Sequence, residues 1–291
     1  MSKRSATFIG FVAIVMWAFL ALLTALCGAI PPFQLAAMAF LIGGLVGASR
    51  WFFQPQGMHL LQQDWRVWVL GTIGLGFYHS LYFFALQNAP PIEASLIAYL
   101  WPLLIVVFAA LLPGEHLRIH HVLGAALGLL GAVLIITKGF SVGFSTGLKP
   151  GHLMALSCAF IWSGYSVLSR RFKNVPTDVV VGYCLITAAV TFALHLALEA
   201  TVWPHSTGQW TALMLLGLFP LGLGFYAWDV GVKNGDIMVL GAASYAAPLL
   251  STLVLVIGGM AQASWNIALA CILITVGAVL AAKDIIFVSN P

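Results

Sequence analysis

Gly74-Leu75-Gly76-Phe77-Tyr78 returns letter for letter as Gly222-Leu223-Gly224-Phe225-Tyr226, and the echo continues in Tyr99-x-x-Pro102 against Tyr245-x-x-Pro248. The register extends forward, where Gly131-Ala132-Val133-Leu134 answers Gly277-Ala278-Val279-Leu280, and backward, where Trp17 answers Trp162. Collinear matches separated by 145 to 148 residues predict two copies of one unit. Residues 1–139 are assigned to the first copy, 140–149 to a linker rich in Gly and Ser, and 150–291 to the second.

The solvent of these copies follows from composition. Of 291 residues, 62% are hydrophobic and 7% charged, against roughly 25% charged in an average soluble domain. Ten apolar runs, near 7–28, 33–53, 67–87, 91–112, 118–137, 150–169, 177–198, 209–230, 237–259 and 264–283, are long enough to cross a bilayer. Hydrocarbon offers no partner to a backbone amide, and these runs lack the alternation of barrel strands, so they are predicted helices. The fold class expected is an all-α integral membrane protein of ten transmembrane helices. Lys3 and Arg4 before the first run imitate a secretory signal, but Leu26 stands where a lipoprotein signal needs a small residue and Trp17 is matched by Trp162. The first helix therefore belongs to the mature fold.

Charge distribution orients the chain. Ten alternating spans place Lys3, Arg4, Arg50, Arg66, Arg118, Arg170, Arg171, Lys173, Lys233 and Lys283 on one side, with Lys138 and Lys149 opposite. That asymmetry predicts cytoplasmic termini, and it explains the net charge of +4 without a nucleic-acid partner. Five helices per copy is an odd number, so the second copy starts on the other side and the repeats are inverted. Inverted repeats place a solute site near midplane at their interface and suit alternating access. The four cysteines, Cys27, Cys158, Cys184 and Cys271, lack ligand spacing and read as small core residues, not as disulfides. No metal or cofactor is expected.

Trp and Tyr usually collect at the ends of membrane spans. Here Trp17, Tyr78, Tyr99, Trp101, Trp162 and Tyr245 lie deep within theirs, where an indole N–H or phenol O–H needs a protein partner or a wet cavity. Helical spacing groups Tyr78 and Tyr82 beside His79, aligns Ser95, Tyr99 and Pro102, and places Cys158, Trp162, Tyr165, Ser166 and Ser169 on one stripe. Ser244, Tyr245 and Pro248 in the ninth span and Tyr226 in the second glycine motif complete the candidate substrate-binding set. Pro102 and Pro248 are expected to kink their helices, each freeing a carbonyl for a neighbouring helix, water or a substrate ammonium. The glycines of the repeated motif lie inside apolar spans, which argues for packing or bending and against phosphate binding.

Ionisable groups are few. Asp229 and Lys233, four apart, are expected to pair at a helix end, Glu93 is expected as an interfacial charge, and His79 is the deepest titratable side chain of the first half. The first span carries no acid, which disfavours proton-for-cation exchange. HExxH and GxSxG are absent, as is an intramembrane carboxylate pair, so an enzyme is not expected. An aromatic, hydroxylated cavity without fixed charge suits an amphipathic neutral solute such as an aromatic amino-acid zwitterion, its ammonium meeting ring faces or freed carbonyls.

Gly114-Glu115 followed by Gly124, Gly128 and Gly131-Ala132-Val133-Leu134, then Ala155-Leu156, Trp162-Ser163 and Arg170-Arg171, resembles the EamA family of the drug/metabolite transporter superfamily over nearly the whole chain. Ala18 after Trp17, Ala261 opposite Glu115 and the lack of a basic residue late in the first helix depart from its pattern, so Glu115 is read as an architectural cap. The resemblance implies ten helices in inverted five-helix repeats and export of a metabolite. Residues and resemblance together lead to the expectation of a bacterial inner-membrane exporter of aromatic and other neutral amino acids. Another neutral metabolite or drug carried by the same scaffold is the alternative. The expected partners are the small-molecule substrate and the lipid bilayer. Oligomeric state stays open, because Gly124-x-x-x-Gly128 can pack helices within or between subunits.

Overall fold

The computed structural model describes residues 1–53, 62–113, 116–140, 147–259, 262, 264–281 and 283. The expectations for Gly114, Glu115, Ala261 and residues 141–146 of the linker lie outside the described residues. Among those described, all regular structure is helical. The helices are α1 (Lys3–Ala18), α2 (Leu20–Leu26), α3 (Pro32–Phe53), α4 (Trp65–Gly71), α5 (Tyr78–Asn88), α6 (Pro91–Ala98), α7 (Trp101–Ala109) and α8 (Ile119–Ile136). They continue as α9 (Pro150–Ser169), α10 (Val179–Leu198), α11 (Thr207–Leu218), α12 (Gly224–Asn234), α13 (Ile237–Ala243), α14 (Ala246–Ile257) and α15 (Trp265–Ala281). Among the described residues, eight helical stretches are long and apolar enough to cross a membrane, and Glu93–Ala109 and Trp265–Ala281 are shorter apolar stretches. Large apolar side chains point outward along them, among them Leu45, Phe192, Leu196 and Ile272, each more than half exposed. Such a surface is untenable in water and natural against acyl chains.

Several helices break, and the sequence says where. Both copies of the glycine motif meet a π-helical segment, Thr72–Phe77 between α4 and α5 and Phe219–Leu223 between α11 and α12. The wider turn is compatible with close neighbours because the glycines present no side chain. A Cβ on Gly74 would run into the ring of Tyr165, and one on Gly222 into the Gly217 carbonyl. The two Tyr-x-x-Pro echoes also break their helices. α6 ends before Tyr99 and α7 resumes at Trp101, while α13 ends before Ser244 and α14 resumes at Ala246. Each break falls just ahead of its proline, which cannot donate a backbone hydrogen bond to the preceding turn.

Packing interleaves the two stretches of chain. α3 runs along α10 and α8 along α15, α7 meets α13, α1 lies on α12, and α5 lies on α9. Where α8 crosses α15, a Cβ on Gly131 would approach the Ala270 carbonyl at 3.2 Å and one on Gly277 the Gly124 carbonyl at 2.5 Å. Adding 146 to 131 and 124 gives 277 and 270, so one contact is the image of the other. Gly128 lies against the ring of Tyr245, so the Gly124-x-x-x-Gly128 face is used for packing within the chain.

Polar ties join the same stretches at the helix ends. Lys3 pairs with Asp236 at 2.8 Å, and the Asp236 backbone N–H donates to the Thr7 hydroxyl. At other helix ends the Glu199 carboxylate accepts from the N–H groups of Phe33 and Gln34 at the start of α3, and the Gln34 amide exchanges hydrogen bonds with the backbone of Val202. Glu93 corrects its expectation as an interfacial charge. It is buried and accepts from His152 Nε2 at 2.7 Å, because the start of α6 is covered by the start of α9. His152 Nδ1 accepts the Lys149 N–H, so the ring proton sits on Nε2 and points at the carboxylate. Cys27, Cys158 and Cys184 are buried, as core residues would be, whereas Cys271 is exposed on α15, which corrects its reading as a core residue.

Gly74→Ala is expected to lower thermal stability in detergent micelles by about 1–3 kcal/mol, the range for overpacking a filled interior. Gly164→Ala, where a Cβ meets nothing within 4 Å, is expected to leave the midpoint unchanged or raise it slightly.

Candidate functional site

The breaks converge on an aromatic cluster. Trp17 of α1 stands 5.7 Å from Trp162 of α9, 5.8 Å from Phe225 and 5.1 Å from Trp228 of α12, ring centre to ring centre. Trp101, first residue of α7, meets Trp162 edge-on at 6.2 Å and Trp228 at 6.0 Å. Trp162 and Trp228 are near-parallel at 6.2 Å, and Tyr165 lies 5.4 Å from Trp162. Trp101, Trp162, Tyr165, Phe225 and Trp228 are buried.

A second layer is more open. Tyr78 lies 5.3 Å from Trp162, stacks on Tyr82 with planes 3° apart, and meets His79 at 5.0 Å. His79 packs edge-on against Phe40 of α3 and Phe225. The Tyr82 hydroxyl bonds the Ser95 hydroxyl at 3.2 Å, tying α5 to α6, and Tyr99 stands one turn beyond Ser95. Tyr78, His79, Tyr82, Ser95 and Tyr99 are all half-buried, although they lie near the middle of their apolar spans.

Local hydrogen bonds explain why these rings hold their positions. Trp17 Nε1 donates to the Pro220 carbonyl of the second π segment at 3.0 Å, and His79 Nδ1 bonds the Leu75 carbonyl of the first at 2.7 Å. Trp228 Nε1 donates to the Ser166 hydroxyl at 3.1 Å. The π segments thus supply the carbonyls that aim two ring systems. Asp229 and Lys233 form the expected pair, at 2.9 Å and fully buried, with the Thr177 hydroxyl on the carboxylate and the Val175 carbonyl on the ammonium. Every charge there is answered within the protein. No cluster of His, Cys, Asp or Glu with metal-binding geometry occurs among the described residues.

Other expected residues stand elsewhere. Tyr245 was expected to line the cavity with Tyr99. It is instead fully buried against α8, and its hydroxyl accepts the Leu103 N–H at 3.2 Å. The physical reason is the break before Pro102, which leaves the first N–H groups of α7 without an intrahelical acceptor. Ser244 is also sealed, donating to the Leu240 carbonyl, and Pro248 is buried on α14. Tyr226 points to α3, where its hydroxyl donates to the Gly43 carbonyl. Pro102 is buried at the start of α7 beneath Trp101.

Sequence reading missed Phe40, Phe225 and Trp228. Phe225 and Trp228 are three apart and share a helix face, a signal that was available. Trp228 was hidden by its place near the end of an apolar run and beside Asp229, which made it resemble an interfacial tryptophan.

An apolar helical bundle with lipid-suited outer faces and an aromatic cluster inside defines an integral membrane protein. The EamA-like transporter family model matches residues 4–137 and again residues 149–283, and the chain belongs to that family. The protein is a multi-pass protein of the bacterial inner membrane. It is 52% identical over 282 residues to the aromatic amino acid exporter YddG of Ancylobacter novellus, covering 97% of this chain and 98% of that one. The Escherichia coli K12 protein of the same name is 25% identical, over 87% of this chain and 88% of that one. A biotin transporter of Salmonella typhimurium is 27% identical over 192 residues, 65% of this chain and 64% of that one. A solved crystal structure, 51% identical, superposes with a TM-score of 0.90 over 97% of this chain and 99% of that one.

Tyr245→Phe is expected to lower stability by about 1–3 kcal/mol, because it strands a buried backbone donor. Tyr99→Phe, whose hydroxyl bonds no described residue, is expected to leave the melting midpoint in micelles unmoved.

Proposed function

We propose that this protein exports aromatic and other neutral amino acids across the bacterial inner membrane by alternating access. The observation that carries the reading is the two-layer site, a buried wall of indole and phenyl rings beneath a half-buried edge of hydroxyls and an imidazole. A ring of the solute is recognised by stacking and edge contacts, and its polar end by neutral hydrogen-bonding groups. The relatives named as aromatic amino acid exporters support the same substrate class.

In this reading the chain has ten transmembrane helices with both termini in the cytoplasm, and residues 1–139 and 150–291 are inverted repeats joined by the linker 140–149. The image contacts at the α8–α15 crossing, the paired π segments and the paired helix breaks support it. The substrate set is Trp17, Tyr78, His79, Tyr82, Ser95, Tyr99, Trp101, Trp162, Tyr165 and Ser166, joined by Phe225 and Trp228. Tyr226, Ser244, Tyr245, Pro102 and Pro248 keep the helices in place around it. Alternating access then exchanges the packing of the two repeats around this set.

Transport of another neutral metabolite or drug on the same scaffold is the second reading, kept because a relative is named for a solute that is not an amino acid. Counterflow in proteoliposomes separates the two. Labelled phenylalanine is expected to enter vesicles preloaded with unlabelled phenylalanine faster than empty ones, and no difference would remove the proposal. Trp162→Ala and Trp228→Ala are each expected to weaken half-maximal exchange by about tenfold, from roughly 1–1.5 kcal/mol of lost ring contact. An imposed pH gradient is expected to leave the exchange rate unchanged, since Asp229 beside the cluster is tied to Lys233 and Thr177.

A further inference from the structure

The duplicated tyrosines have parted company. Tyr245 spends its hydroxyl on the Leu103 N–H of the broken fourth span. By the register of the repeat, the image of that bond would join the Tyr99 hydroxyl to the N–H of Leu249, but no such bond is present among the described residues and Tyr99 is half-buried. The tryptophans differ in the same way. Trp17 Nε1 is held by the Pro220 carbonyl, whereas Trp162 Nε1 has no hydrogen-bond partner among the described residues. One member of each pair is used to build the bundle, and the other keeps its polar atom for something else.

The half-buried edge has three such atoms, two of them on rings 5.0 Å apart, Tyr78 and His79, and the third on Tyr99, one turn beyond the Ser95 that Tyr82 bonds. The hydroxyls of Tyr78 and Tyr99 bond no described residue, and neither does Nε2 of His79. The imidazole is the discriminating member. A carbonyl oxygen can only accept, so the 2.7 Å contact between Nδ1 and the Leu75 carbonyl puts the proton on Nδ1. In the neutral ring Nε2 then carries a lone pair and can only accept. The phenols are donors as well as acceptors. No unpaired charge stands among Tyr78, His79, Tyr82, Ser95 and Tyr99.

We infer that this edge is a split receptor for a zwitterionic head group, with His79 Nε2 accepting from the solute's ammonium and the Tyr78 and Tyr99 hydroxyls donating to its carboxylate. The assignment rests on the amino-acid reading above and deepens it. A zwitterion brings one charge of each sign, so neutral dipoles of opposite sense suffice to hold it. A fixed carboxylate would instead select cations and bind them too tightly to release. The π segment has a direct part in this, because the Leu75 carbonyl that pins the tautomer belongs to it. His79 and the tyrosines thereby set specificity for the head group, and the indoles beneath set it for the ring.

The test uses the full-length protein in proteoliposomes, with labelled phenylalanine exchange inhibited by three unlabelled probes. These are phenylalanine, phenethylamine, which lacks the carboxylate, and 3-phenylpropionate, which lacks the amine. His79→Ala is expected to raise the half-inhibiting concentration of phenylalanine and phenethylamine by at least about tenfold, the scale of a lost hydrogen bond to a charged group, and to leave 3-phenylpropionate within about twofold. Tyr78→Phe and Tyr99→Phe are expected to do the converse, weakening phenylalanine and 3-phenylpropionate and sparing phenethylamine. His79→Gln, which offers a carbonyl oxygen near the Nε2 position, is expected to recover part of the loss. Equal weakening of all three probes by every variant, at unchanged protein yield and melting midpoint, would overturn the split assignment while leaving amino-acid export standing. No exchange of phenylalanine by the unmodified protein would overturn both.

Discussion

Hydrocarbon offers a backbone amide or carbonyl nothing to bond, and the architecture follows from how this chain meets that constraint where its helices are irregular. Each irregularity recruits a side chain from elsewhere. Tyr245 caps the resumed fourth span through the Leu103 N–H, and Trp17 reaches the Pro220 carbonyl in one π segment. His79 and Ser80 occupy the Leu75 and Gly76 carbonyls of the other. A regular helix would ask for none of these contacts and would orient none of these rings. The irregular turns are therefore what aims the site.

The same contacts distinguish the two copies of the Tyr-x-x-Pro break. Two copies of a Tyr-x-x-Pro break create two sets of unpaired amides and two tyrosines able to reach across. Only Tyr245 does so, and it is sealed against Gly128 by the close approach of α8. Tyr99 stays half-buried, one turn beyond the Ser95 that Tyr82 bonds. The two breaks are matched, and the surroundings of each tyrosine decide which hydroxyl is spent on holding the bundle.

Much of this was legible in the residues. The helical class follows from long apolar runs with few charges, and the break positions follow from Pro102 and Pro248. The glycines of the repeated motif were correctly read as packing and bending elements, since Gly74 and Gly222 stand where a side chain would collide. Asp229 and Lys233 pair as their spacing requires. Glu93 was misjudged because a carboxylate one turn into a helix looks interfacial until another helix end covers it, and His152 lies 59 residues away.

By itself the sequence determined the solvent, the secondary structure, the doubling and the stock of aromatic side chains, because each depends on composition or on spacing within a single helix. The repeated Gly-Leu-Gly-Phe-Tyr could announce two bends but not their π-helical form. The tertiary structure alone decided which rings meet, since Trp228 joins Trp17, Trp101 and Trp162 from four different helices. It also decided which polar atoms are consumed in holding the bundle and which bond no described residue. That distinction depends on contacts between residues more than a hundred positions apart, as between Tyr245 and Leu103, and no local pattern encodes it.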